Sequence, residues 1–362
     1  MSASRLRSLL LDALRDPPGV AQLVPAEWTR LVRDARKNDL LGRLASRIEE
    51  DGAWTRVPTA PAAHLASAQL LAGAQHTEVR REVQRLQRLF QPLGIPVVLL
   101  KGAAYVYAGL PAAQGRMFSD IDILVPRESL PTVEANLMLE GWATTHHSAY
   151  DQHYYRKWMH ELPPLRHIRR GTVLDVHHAI LPETARMQPD SAKLWEAVVP
   201  VPDCPGLYVL GELDMVLHSM THLLSNEEFT HGLRDLSDID LLLRHFGRDP
   251  AFWERLSARA SELGLGRFLY YGLTQAQALP ETPLPPEALA RAAASRPPAP
   301  VAALMDVMWR YALSAGAANR GSLADSLLRF LLYLRAHWLR MPVWLLAGHI
   351  AVKAFVKEGG ER

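Results

Sequence analysis

Cysteine is almost absent: Cys204 is the only one in 362 residues. No internal disulfide can form, and a reducing, cytoplasmic location is the expectation. Net charge is nearly absent too, since 40 Lys and Arg stand against 38 Asp and Glu and leave +2. A protein that coats nucleic acid regardless of sequence needs a clear basic excess, so that class is disfavoured, although a local basic groove is not. Long apolar runs are missing as well. The strongest, Val343 to Val356, is shorter than the roughly 20 residues that cross a bilayer, and it carries His349 and Lys353. Arg335, His337 and Arg340 interrupt the apolar stretch before it. No transmembrane segment is therefore expected. Packed helices are the first reading of this end, and peripheral contact with a membrane surface is the second. The start, MSASRLRSLLLDALRD, places Asp12 inside its apolar run and offers no small-residue cleavage site. It reads as an amphipathic helix and not a signal peptide. With 48% apolar and 22% charged residues the composition is globular, and the length suggests two or three domains.

Residues 1–92 read as helical. From Pro61 to Gln91, Leu65, Leu70, Leu71, Val79, Val83, Leu86 and Leu89 recur at roughly helical spacing, and Pro92 ends the pattern. The character then changes. Ile95 to Leu100 (IPVVLL) and Ile121 to Val125 (IDILV) are short, branched, apolar runs of the kind that form buried strands, and Arg127 to Glu140 reads as a helix ending at Gly141. Several strands are expected between Trp142 and His178, with Arg169-Arg170-Gly171 turning into Thr172 to His177. Helical patterning returns near Leu210, and the proline-rich stretch Leu279 to Pro300 reads as a linker or a pair of short helices. The expected organisation is an α+β core at 93–205 between helical regions at 1–92 and 206–362.

Asp120 and Asp122 are separated by one residue on the second strand. Successive strand side chains alternate faces, so both carboxylates point the same way while Ile121 and Ile123 point into the core. Carboxylates that close repel unless a cation neutralises them, and oxygen-only ligands favour magnesium or manganese over zinc. Asp175 sits in VLDVHH on another strand; if the two strands are neighbours, three carboxylates converge. Two ions about 4 Å apart in such a cluster clamp the attacking and departing oxygens of a phosphoryl transfer. Asp175 would also be placed to accept the proton of an attacking hydroxyl. In this reading, deleting Asp122 relieves repulsion in the metal-free protein. Gly102 follows the first strand and opens a helix, where backbone N–H groups approach a phosphate closely. Lys101 adds a point charge and Arg116 a planar fork for the same phosphates.

Other groups carry less. LSDIDLLL (236–243) reads as a helix, on which Asp238 and Asp240 lie about 200° apart and share no ligand site. A helix edge facing solvent or the cleft is expected there, with a cleft-facing Arg234 or Asp235 that contacts substrate as the minority view. His218 and His222 have a zinc-compatible spacing, yet Ser219 stands where a metalloprotease helix needs Glu, so packed helix residues are expected. His177 lies on the face of Asp175 and is expected to orient it or touch phosphate. Cys204 sits in a PDCPG turn with no nucleophile's partner nearby.

LLKG (99–102), RMFSDIDILV (116–125) and LDVHH (174–178) resemble the blocks of the nucleotidyltransferase superfamily that includes DNA polymerase β. More narrowly they resemble the bacterial uncharacterised nucleotidyltransferase family, in which Lys-Gly stands where polymerase-like members have Gly-Ser or Gly-Gly. The resemblance implies a small mixed sheet with flanking helices and two magnesium ions, with manganese as substitute. It also implies ATP or another nucleoside triphosphate as substrate, transfer of its nucleoside monophosphate to an acceptor hydroxyl, and release of pyrophosphate. Asp120, Asp122 and Asp175 fall on the metal-binding, catalytic carboxylates. Lys101, Gly102, Arg116, Ser119 and His177 fall on or beside the nucleotide-binding positions. The alternative is a nucleotide-binding scaffold that keeps the core without chemistry. The acceptor, whether small molecule, protein or RNA end, is not implied.

Overall fold

The computed structural model describes residues 8–145, 159–226, 229–314 and 323–342. Among the described residues four α-helices, Leu9–Arg15, Pro25–Lys37, Leu41–Glu50 and the 32-residue Thr59–Phe90, precede the first strand. The long helix passes into a short turn through Pro92 to Gly94, whose φ of 66° suits glycine. Strands β1 (Val97–Leu99), β2 (Ile121–Leu124), β3 (Trp142–Thr144), β4 (Leu165–His167), β5 (Val173–His177), β6 (Val198–Pro200) and β7 (Leu207–Leu210) form one mixed sheet. Its order is β3-β4-β5-β2-β1-β7-β6. Thus the α+β class and the mixed sheet with flanking helices hold.

β2 lies between antiparallel β1 and parallel β5. All four of its residues are buried, as expected of a strand covered on both faces. Three are aliphatic; the fourth is Asp122, and a carboxylate in that setting requires partners. β6 and β7 have no counterpart in the sequence reading, which ends its strands at His178. Leu207, Val209 and Leu210 are buried, and β7 pairs in parallel with β1. β7 lies past residue 205, so the sheet runs beyond the 93–205 span.

Helices then resume. Glu212–Ser225 is buried on nearly every side and packs against Gly232–Phe246, Pro250–Glu262 and Gly266–Ala278. The proline-rich stretch contributes one short helix, Pro286–Ala292, ahead of Ala299–Ala312. The helix Leu323–Arg340 contains Arg335, whose guanidinium donates to the carbonyl of Leu224. Among the described residues no helix is long and apolar enough to cross a membrane. Val343 to Val356 lies outside the described residues.

An ionic knot ties the sheet to helices on either side of it in the chain. Arg43, from Leu41–Glu50, is only 2% exposed and reaches Asp238 Oδ1 at 2.7 Å. Arg116, in the loop before β2, donates from Nε to Asp238 Oδ2 at 2.8 Å. Asp238 belongs to Gly232–Phe246 and is 3% exposed. The expected edge facing solvent or the cleft is therefore corrected: Asp238 is buried between two guanidiniums. The knot needs close backbone approach, and Gly42 and Gly115 supply it, since a side chain on either would strike the other's backbone.

Candidate active site

The hydrogen-bond register sets the acidic cluster. β2 and β5 run in parallel with Asp122 paired to Asp175 and Ile121 to Leu174. Paired positions on neighbouring parallel strands project to the same face. Asp120, immediately before β2, shares that face by alternation and is half-buried. The structure thus brings Asp120, Asp122 and Asp175 together, because β2 and β5 are neighbours.

β1 delivers the cation. The backbone N–H of Leu100 donates to the carbonyl of Asp122, so the end of β1 lies beside the start of β2. Lys101 follows with φ 46°, in the left-handed region that a lysine rarely occupies. Its Nζ donates to Asp122 Oδ1 at 2.7 Å and lies 2.8 Å from His222 Nε2. Burial alone would lower the Lys101 pKa; the charges of Asp122, Asp120 and Asp175 raise it above its ordinary value. His222 is held well below its ordinary value by burial and by Lys101, so it is a neutral acceptor for the ammonium.

His177 is the second donor to the same oxygen, with Nε2 3.1 Å from Asp122 Oδ1. Its Nδ1 lies 3.1 Å from Glu161 Oε2. Burial works against its charge, but Glu161 and Asp122 together raise its pKa. Asp122 in turn is held well below the usual carboxylate range: burial opposes this, and Lys101 and His177 outweigh it. Asp175 goes the other way. Burial and the charges of Asp122, Asp120 and Glu161 push it well above the usual range, and its Oδ1 is buried without a hydrogen-bond partner.

The remaining expected residues fall at the edges. Ser119 is exposed and donates to Asp120 Oδ1 at 3.0 Å. Gly102 is buried, and a Cβ there would meet Arg116 Nη1 at 2.5 Å and Phe118 Cε1 at 2.6 Å. The absence of its side chain admits Arg116, which bonds Asp238 and lies over the Tyr105 and Phe118 rings. The sequence reading gave Arg116 to a phosphate; the structure gives it a carboxylate.

Three neighbours were missed. His222 had only its helical spacing to His218 as a signal, and His218 is buried with its pKa depressed to about 3 by desolvation. Glu161 forms an isolated bridge with His177, and with His160 and His177 it sets three ligand atoms within 4.8 Å of one another. Nothing in the spacing of His160 and Glu161 marked them.

An orphaned, buried carboxylate oxygen beside two further carboxylates fits a hard divalent cation, which takes oxygen ligands and offsets their repulsion. Asp175 Oδ1 is the unpartnered oxygen, with Asp120 and Asp122 beside it.

A family model described as uncharacterised nucleotidyltransferase matches residues 25–280. No curated protein matches the chain, and no solved structure does.

Proposed function

The chain belongs to the uncharacterised nucleotidyltransferase family, and from that membership we propose a magnesium-dependent transfer of a nucleoside monophosphate from a nucleoside triphosphate to an acceptor hydroxyl. The observation that carries this reading is the convergence of Asp120, Asp122 and Asp175 through the β2–β5 register.

Asp120, Asp122 and Asp175 would hold the metal. When bound, magnesium would neutralise the triphosphate and polarise the oxygens at the reacting phosphorus. The acceptor oxygen attacks the α-phosphorus as the bond to the β-phosphate breaks and pyrophosphate departs. Asp175 would take the hydroxyl proton. Lys101 has three N–H groups; one goes to Asp122 and one to His222, and the third is directed by those two anchors, ready for a phosphate oxygen. Ser119, at the exposed rim beside Asp120, would meet the nucleotide there. His177 fixes Asp122 through the same oxygen that Lys101 holds. Gly102 and Arg116 support the strand–helix junction from behind, through Asp238. Catalysis in such a site is mostly positioning and charge neutralisation.

The test is pyrophosphate release from labelled nucleoside triphosphates with magnesium and a panel of small-molecule, protein and RNA-end acceptors. Turnover that Asp120→Asn abolishes supports the reading. The Lys101–Asp122 ion pair, which partly neutralises the cluster without metal, favours a second reading: a nucleotide-binding protein without chemistry. Tight nucleotide binding with no turnover on any acceptor would establish that one instead.

A further inference from the structure

We propose that Lys101 is a resident cation that takes one of the two metal places, so that the site holds a single divalent ion. This rests on the metal-binding reading above and adds its stoichiometry.

Three features of the site carry it. First, Asp122 is the central carboxylate of the cluster, with Asp120 just before the start of its strand and Asp175 opposite it in register. A carboxylate so placed is the one that two ions would share. Its Oδ1 is already occupied by two donors, Lys101 Nζ at 2.7 Å and His177 Nε2 at 3.1 Å. An ammonium on that oxygen excludes a second cation from it by charge and by space.

Second, Lys101 is built into its place. The chain adopts φ 46° at this residue, and His222 accepts from the ammonium at 2.8 Å from a helix that begins over a hundred residues later. A lysine meant to swing freely toward a ligand has no need of a strained backbone or a second anchor. Third, the charges balance around one ion. His177 and Glu161 form a pair of their own. Three carboxylates less one ammonium leave two negative charges in the nucleotide-free site, which one divalent cation neutralises. Asp175 Oδ1, buried without a partner, is the oxygen that ion would claim.

Manganese tests this on the full-length chain, stripped of metal and titrated with Mn²⁺, with and without a non-hydrolysable α,β-methylene triphosphate. Equilibrium dialysis gives the number of ions per chain, and electron paramagnetic resonance shows whether they are spin-coupled neighbours. Wild type is expected to bind one Mn²⁺ with an uncoupled spectrum. Lys101→Ala is expected to bind two, with a coupled spectrum, and Lys101→Arg to keep one. Two coupled ions in wild type overturn the proposal and leave the metal-dependent reading standing; this needs no variant to fold. One ion in both wild type and a folded Lys101→Ala, judged by circular dichroism, also overturns it. No bound Mn²⁺ in any form overturns the metal-dependent reading itself, and this inference with it.

Discussion

Asp122 and Asp175 occupy paired positions on adjacent parallel strands, yet their surroundings drive them in opposite directions. Asp122 holds Lys101 and His177, whereas Asp175 faces like charges and leaves Oδ1 unpartnered. The two carboxylates should therefore respond oppositely to neutralisation. Asp122→Asn leaves the buried Lys101 without its ion-pair partner and takes one of two acidic partners from His177, and a loss of about 3 kcal/mol is expected. Asp175→Asn removes repulsion from the metal-free protein and should gain about 1 kcal/mol. Thermal unfolding in EDTA checks both. The expectation that losing Asp122 relieves repulsion and leaves the metal-free fold intact is reversed by its ion pairs with Lys101 and His177. Equal destabilisation by the two variants would contradict the asymmetry.

The knot of Arg43, Arg116 and Asp238 has a pH signature. Burial disfavours ionised Asp238, but Arg116, Arg43 and Arg234 outweigh it and hold its pKa below the ordinary 3.8. A carboxylate with a depressed folded pKa adds stability above its unfolded value, and that stability is lost as pH falls through the folded value. Asp238→Asn strands the buried guanidinium of Arg43 and leaves that of Arg116 with only the longer Asp235 contact, and should cost about 3–5 kcal/mol near neutrality. The gap between wild type and variant should stay constant down to about pH 4 and close only below 3.8. Denaturant unfolding at stepped pH measures it, and a gap that closes between pH 5 and 7 would assign the effect to another group.

Legibility in the sequence followed the range of the interaction. Alternation along β2 and β5 is a local property, so the shared face of Asp120 and Asp122 and the flanking of Asp175 by Leu174 and Val176 could be read directly. Their meeting needed one further assumption, that the two strands are neighbours. Partners across the chain carried no such signal. Lys101 meets His222 over 121 positions and Arg116 meets Asp238 over 122, and no spacing rule names either pair. Asp238 did leave one trace: Leu242, one turn on, is fully buried on the same helical face. An aspartate on an apolar face needs a partner. β6 and β7 escaped because runs of three or four apolar residues beside a helix do not identify themselves by period.

Gly102 is expected to resist substitution for a packing reason. A methyl group there points at Arg116 Nη1 and the Phe118 ring, and Asp238 pins the guanidinium that would have to yield. Gly102→Ala should lower stability by about 1–3 kcal/mol, as overpacking does. In Asp238→Asn, where Arg116 is released, the same substitution should cost less. A double-mutant cycle by denaturant unfolding measures that coupling, and strict additivity would show that Arg116 is not what the methyl group meets.

Lys101 combines a functional side chain with an unfavourable backbone, and the two contributions can be separated. Both Lys101→Ala and Lys101→Gly remove the ammonium and leave Asp122 with His177 alone, so both should unfold below wild type in EDTA. They differ in what φ 46° costs them. Alanine keeps the Cβ that crowds a left-handed backbone, and glycine does not, a difference of about 1–2 kcal/mol that is partly offset by glycine's greater freedom when unfolded. The glycine variant should therefore be the more stable by about 1 kcal/mol, or about 2 °C in a protein of this size. Calorimetry of the two metal-free variants decides it. If alanine is equal or better, the chain relaxes its backbone once the ammonium is gone, and the left-handed turn at residue 101 is imposed by the Lys101–Asp122 bond and not by the strand–helix junction.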